Sequence, residues 1–378
     1  MANLKIAIFK HGDVCAELRS QLAGNEPPHS YISEIVNLSA LGELHIAGHS
    51  SKAAKYQHED VYCDTFHRGE ALLSHARFYL DHWKYLRRVD PDVVVVLHPW
   101  ELLVIPFVWC RIRKRKFLPC IPKLPASTHA GWVRKYFVKL VIRPLLRKSQ
   151  VILVRSGPIQ KQLNSWGIDD RRIIIYLPPY DKEFFACEKL LPTDNSDFNI
   201  VFIGRLVKLK GIYDLLKIFE QVLAKVPSAK LFVIGNGPEH VSMRQWAESR
   251  SIGASVTFIG EVPQKDIYGY LAPADVAVLP SYQEGLGKTA LEALLAGVPV
   301  LATDGTGFSQ FIRHGDNGFL FAPGHVGEFS NALIELYHDE EALARLKHGA
   351  LGTREDIMNN LKTFASCVKD FVRNRRNC

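Results

Sequence analysis

The sequence predicts an α/β protein built from two doubly wound domains, and three observations carry that expectation. A chain of 378 residues exceeds the size at which one hydrophobic core stops growing, so two domains of roughly 180 residues each are expected. Short apolar runs alternate with helix-length patterns, as parallel strands joined by crossover helices require. The runs at 198–203 and 230–234 end directly on Gly204 and Gly235, where a chain turning out of a sheet has room to do so.

In the first half, strands are expected at 5–9, 93–97, 151–154 and 173–176. The segment Cys120-Ile121-Pro122-Lys123-Leu124-Pro125 carries two prolines, which confine a strand to an edge or remove it. The polar stretch 192–197 reads as a connection. The expected division is therefore a first domain at 1–190, a linker at 191–197 and a second domain at 198–352, with a helical tail at 353–378 able to cross back to the first domain. The second domain is the more regular. Its strands are expected at 198–203, 230–234, 256–259, 276–279 and 298–302, with a helix over 212–225, giving six or so parallel strands.

Composition limits the function. Apolar residues make up 47% and charged residues 23%, as in a folded globular chain rather than a disordered one. The net charge of +8 suits an anionic partner. No nucleic-acid motif accompanies it, so none is expected to bind. Seven scattered cysteines without a CxxC pair suit a reducing compartment rather than a disulfide scaffold. The first apolar run is short and interrupted by Lys5, unlike a signal-peptide core, and no run of 18 apolar residues exists to span a bilayer.

Two segments of the second half carry chemistry. In Gly204-Arg205-Leu206-Val207-Lys208-Leu209-Lys210-Gly211 two cations, Arg205 and Lys210, stand between a strand's carboxyl end and a helix start. Doubly wound sheets bind ligands at that end, and a helix N-terminus there favours an anion. An arginine fork and a lysine point charge together match a diphosphate. Taken alone, the segment reads sooner as a solvated loop with flanking charges. The second segment is Ser281-Tyr282-Gln283-Glu284-Gly285-Leu286-Gly287-Lys288-Thr289-Ala290-Leu291-Glu292. Its glycines let backbone amides approach a ligand. Glu292 runs into the apolar stretch Ala293-Leu294-Leu295-Ala296, so its charge is expected to be partly buried and partnered.

Together these segments resemble glycosyltransferase family 4, the retaining, metal-independent transferases of GT-B architecture. That family carries G-R-x-x-x-x-K-G and E-G-[FL]-G-x-x-x-L-E-A-x-A-x-G-x-P-V, seen here over residues 204–211 and 284–300. The likeness continues through Phe258-Ile259-Gly260, Ala274-Asp275-Val276 and Asn317-Gly318-Phe319-Leu320. It covers residues 198–350 well and the first half loosely. It implies two Rossmann-like domains with parallel sheets facing a central cleft. By position, it implies that Arg205 and Lys210 hold the donor diphosphate and stabilise the leaving group. Glu284 is implied to contact the donor sugar and Glu292 the ribose. Gly204, Gly235, Gly237, Val262, Gly285, Leu286, Gly287, Lys288 and Thr289 are implied to line the donor. Lys288 replaces a residue that is commonly uncharged. In the first domain the family's Gly-Gly loop survives as Lys10-His11-Gly12-Asp13, so only Gly12 is implied to reach the donor. The family histidine near the donor sugar has two candidates, His129, which fits the family order, and His98, which follows the cleaner strand.

Breaking a glycosyl–phosphate bond places negative charge on the diphosphate, where fixed cations stabilise it. Retaining hydrolases use a carboxylate nucleophile; the resemblance implies front-face attack instead, with the donor phosphate taking the acceptor proton. Asp90-Pro91-Asp92 matches a metal-binding Asp-x-Asp but precedes its strand, at the wrong end of the sheet for a ligand. No metal and no cofactor are expected. A UDP- or GDP-sugar donor and a glycan, lipid-linked or lipopolysaccharide-type acceptor are.

Residues 106–150 hold twelve Lys or Arg and no Asp or Glu. Trp132, Val133, Tyr136, Phe137, Leu140 and Val141 fall at helical spacing between Arg134, Lys135, Lys139 and Arg143, ending or kinking at Pro144. This basic amphipathic helix, with Arg111, Arg113, Lys114, Arg115 and Lys116 upstream, reads either as a solvated face or as a patch for the acceptor or for an anionic inner membrane. The second reading predicts a cytoplasmic protein, peripheral on the inner membrane. Two other functions share the architecture. A nucleotide-sugar epimerase would turn over without an acceptor, and a non-catalytic nucleotide-sugar binder would keep the binding residues alone.

Overall fold

A computed structural model describes residues 4–10, 13–22, 31–50, 54–67, 72–97, 100–122, 136–178, 180, 184–185, 187–191, 197–360 and 362–373. The chain forms two compact units. One comprises Met1–Pro179 with Leu361–Cys378, the other Tyr180–Asn360. The units therefore part ahead of the polar stretch 191–197. Residues before that stretch already belong to the second unit: Leu190 N–H donates to Gly269 O at 2.8 Å, and Phe184 packs edge-on against Tyr268.

The first unit holds an eight-stranded sheet. Its strands are β1 (Leu4–Lys10), β2 (Gly42–Ser50), β3 (Ala54–His58), β4 (Val61–His67), β5 (Val93–Leu97), β6 (Lys116–Ile121), β7 (Ile152–Val154) and β8 (Ile173–Ile175). They lie in the order β3-β4-β2-β1-β5-β6-β7-β8. All pairings are parallel except β3 with β4, so this sheet departs from the wholly parallel expectation at one edge. β5 reads Val-Val-Val-Val-Leu and is buried throughout, as a central parallel strand covered on both faces should be. The proline argument needs correction. β6 ends at Ile121, two residues into the segment under suspicion and ahead of Pro122, and carries Pro119 at an interior position between β5 and β7. The missing N–H is tolerated because β7 pairs only with Cys120 and Ile121, so the ladder on that side begins after the proline.

The last helix, Phe364–Arg373, belongs to this unit. Phe364, Cys367 and Val368 are buried in the same core as Ile6, Ile8 and Leu44. Its start is fixed by Glu34, whose side-chain oxygen accepts the Ala365 N–H at 3.1 Å. Its end is fixed by Lys116 Nζ, which donates to Phe371 O and Val372 O.

The second unit holds six strands: β9 (Phe198–Ile203), β10 (Ala229–Ile234), β11 (Val256–Gly260), β12 (Val276–Leu279), β13 (Val300–Thr303) and β14 (Gly318–Phe321). All are parallel, in the order β11-β10-β9-β12-β13-β14. The order reverses between β9 and β12. In such sheets the loops leaving the two strands at the reversal diverge and open a crevice at their carboxyl ends. Those loops are the two segments that the sequence singled out. In the first unit the reversal lies between β1 and β5, whose ends at Lys10 and Leu97 precede Gly12 and His98. Gly12, His98 and His129 themselves lie outside the described residues.

Candidate donor site in the second unit

The loop after β9 is held by close backbone packing. Gly211 takes φ +66°, and a Cβ there would lie 1.9 Å from Pro280 O, just past β12. Tyr282 N–H also donates to Leu209 O at 2.9 Å. The two loops are thereby stitched together, and Lys210 Nζ meets Glu284 Oε2 in an ion pair. The other carboxylate oxygen, Oε1, accepts from Gly285 N–H at 3.0 Å and from Gly287 N–H at 3.4 Å. Glu284 thus joins one of the two cations to the glycine loop preceding the helix Lys288–Leu295. Leu286 O accepts from the Gln310 side chain, and Thr289 lies in the first turn of the helix.

An open cleft of about 550 Å³ at the carboxyl ends of β9, β10 and β11 is lined by Gly204, Arg205, Gly235, Asn236, Gly237, Glu261, Val262 and Ile267 among others. Gly235 is required by proximity: a Cβ would stand 2.0 Å from Gly204 O. Arg205 is exposed here and has no acidic partner within salt-bridge distance among the described residues.

Glu292 sits one turn into the helix and is only 2% exposed. Its Oε1 accepts from Gln264 Nε2 at 2.5 Å and lies 3.4 Å from Lys288 Nζ. Lys288 also donates to Gln264 Oε1. Burial pushes the Glu292 carboxyl above its ordinary range, against the pull of Lys288 and then of Gln264. Lys288 is thus engaged by the Glu292 carboxylate and Gln264. Gln264 lies two positions beyond Val262 and ties the cleft wall to the Lys288–Glu292 pair. Sequence reasoning missed it, and it missed Glu261, because a single polar residue in a loop belongs to no spacing pattern.

The structure therefore assembles Gly204, Arg205, Gly235, Gly237 and Val262 in one cleft, and pairs Lys210 with Glu284 and Lys288 with Glu292. Residues 188–351 match the family described as glycosyl transferases group 1. The second unit carries a group 1 glycosyl transferase domain.

Proteins similar to this chain include the N-acetyl-alpha-D-glucosaminyl L-malate synthase of Bacillus anthracis. It is 28% identical over 220 residues, which are 58% of this chain and 55% of that protein. The match spans about half the length of the curated relatives. Among solved structures, Anabaena HepE in complex with UDP has a TM-score of 0.68 at 15% identity, covering 94% of this chain and 99% of that one. A glycosyltransferase of Rickettsia africae has a TM-score of 0.70 at 14% identity, covering 99% of this chain and 100% of that one. At these identities the likeness is one of fold, and that fold is GT-B, with two α/β units.

The basic residues of the first unit divide. Arg113 and Arg115 are held by Asp90, and Arg115 also by Asp92. Asp92 further accepts the Lys5 N–H, so the Asp-Pro-Asp segment is committed to fixing the amino end of β5. Lys116 caps the last helix, as above. Arg111, Lys114 and Lys139 are exposed. Trp132, Arg134 and Lys135 lie outside the described residues. From 136 the chain is helical to 147 and does not end at Pro144. A π turn at Val138–Ile142 precedes the proline, with Arg143 N–H reaching Val138 O. The wider turn relieves the clash that a proline ring makes with the carbonyl four residues earlier. Among the described residues, no helix is long and apolar enough to cross a membrane.

Proposed function

We propose that the protein is a retaining, metal-independent glycosyltransferase of the family 4 type. It moves a hexose-type sugar from a UDP- or GDP-linked donor to a glycan or lipid-linked acceptor in cell-surface polysaccharide synthesis, working at the cytoplasmic face of the inner membrane. One observation carries the reading: the Lys210–Glu284 ion pair joins the two loops at the sheet reversal, and the loop that carries Lys210 also supplies Arg205 to the cleft. Arg205 and Lys210 take the donor diphosphate and stabilise the charge that grows on it as the glycosyl bond breaks. Glu284 holds Lys210 in place beforehand and accepts from sugar hydroxyls once the diphosphate has drawn the lysine away. Glu292, kept in position by Gln264 and Lys288, accepts from the ribose diol.

The test is a thermal-shift series with UDP-, GDP- and ADP-sugars on the wild type and on Arg205→Ala. A donor at a hundred times its dissociation constant stabilises by about 2.7 kcal/mol. One nucleotide sugar is expected to shift the wild type and not the variant. If none shifts the wild type, the reading fails. Turnover is expected to survive a chelator; loss of turnover that manganese or magnesium restores would overturn the metal-free part alone.

A further inference from the structure

The helix Val104–Arg113 and the helical stretch 136–147 follow adjacent strands, β5 and β6, and cover one face of the first unit's sheet. Their inner sides are already spent on the core through Trp109, Cys110, Val138, Ile142, Leu145 and Leu146. A helix on a water-facing layer should then be polar outside. These two are not. Val108 and Ile112 are 40% and 63% exposed, one turn apart, and Tyr136 and Leu140 are 56% and 67% exposed, again one turn apart. Around them stand Arg111, Lys114, Lys139 and Lys148, all exposed and with no acidic partner among the described residues. Arg111, Lys114 and Lys148 also rim a pocket of about 370 Å³ walled by Phe107 and Phe117. In the sequence, residues 106–150 carry twelve cations and no acidic residue, in a chain of net charge +8.

We infer that these two helices form a docking face for an anionic phospholipid bilayer. The apolar stripes enter the boundary between headgroups and acyl chains, as interfacial helices do. Arg111, Lys114, Lys139 and Lys148 meet lipid phosphates, and the Phe107–Phe117 pocket receives one headgroup. The inference deepens the membrane-peripheral part of the proposed function and rests on it, and it adds which surface touches lipid.

Co-sedimentation with vesicles tests it. The wild type is expected to pellet with equimolar phosphatidylglycerol and phosphatidylcholine, far less with phosphatidylcholine alone, and less as salt rises. Replacing Arg111, Lys114 and Lys148 together by Gln should weaken that binding on the order of a hundredfold. Ile112→Ser with Leu140→Ser should weaken it separately. All five side chains are exposed, so the variants should melt as the wild type does. Equal pelleting with neutral vesicles, or binding indifferent to salt, overturns the proposal without recourse to any variant; so does a folded triple variant that binds as the wild type. Thermal shift with nucleotide sugars on the same samples separates the two readings. A nucleotide response without vesicle binding ends the docking face and spares the transferase, and the converse result does the reverse.

Discussion

Lys288 Nζ lies 3.4 Å from Glu292 Oε1, one turn away on the same helix, and the carboxylate it faces is buried. Burial raises that carboxyl and Lys288 is the foremost influence lowering it. Lys288→Met removes the opposing charge, so the Glu292 carboxyl should titrate at higher pH than in the wild type. If the ionised form binds the donor ribose, the acid limb of kcat/KM for the donor should move to higher pH. A pH–rate profile identical to that of the wild type would remove Glu292 from the donor site.

Arg205→Ala should lower kcat by about 10²–10³-fold, the usual cost of deleting one group that stabilises developing charge. The side chain is exposed, so the melting temperature should stay within error. Arg205→Lys should recover only part of the loss, because a point charge replaces a two-pronged donor. Steady-state kinetics on the three proteins decides the matter, and an Ala variant with unaltered kcat would show that the cleft arginine has no part in the chemistry.

Gly211→Ala should both destabilise and disable. Its Cβ would strike Pro280 O from a backbone conformation that alanine resists, a strain of about 1–3 kcal/mol. Relief requires the two loops to separate, which moves Lys210 from Glu284. Denaturant unfolding should register the lost stability, and titration with the nucleotide sugar should register weaker binding. Unchanged values in both would mean that the stitch is dispensable.

Glu34 gives the first unit a pH-dependent stability. Desolvation raises its carboxyl from 4.5 to about 7, despite the Ala365 N–H and the Arg155 charge. The folded state therefore holds a proton that the unfolded state releases. The contribution is complete below about pH 4.5 and disappears as pH climbs through about 7, a change on the order of 3 kcal/mol. Glu34→Gln keeps an oxygen for the Ala365 N–H and cannot ionise. It should be more stable than the wild type near pH 8 and should lack the decline on the way there. Parallel curves of melting temperature against pH for the two proteins would refute the assignment.

The second unit was legible because its central strands are buried and stand as mainly apolar runs, such as Val276–Leu279. The strands β2 to β4 escaped notice for the opposite reason. Their sequences interleave His, Gln, Asp and Tyr, and β3 lies at the sheet edge with three of its five residues exposed. Pro122 and Pro125 misled because β6 ends at Ile121, ahead of both; Pro119 within it is tolerated because position in a ladder decides what a missing N–H costs. At the site, the burial of Glu292 followed from its apolar neighbours. Its partner Gln264 comes from another loop and no local pattern marks it.

Because Leu361–Cys378 returns to the first unit, Tyr180–Asn360 is one uninterrupted stretch and its companion is split in two. On the ribosome the second unit has all its strands once the chain has passed Phe321, and its last helix by Asn360. The first must wait with an open gap in its core until Phe364, Cys367 and Val368 emerge. Folding order during synthesis should thus invert gene order, with the later-encoded body closing first and the earlier one completed by the final helix.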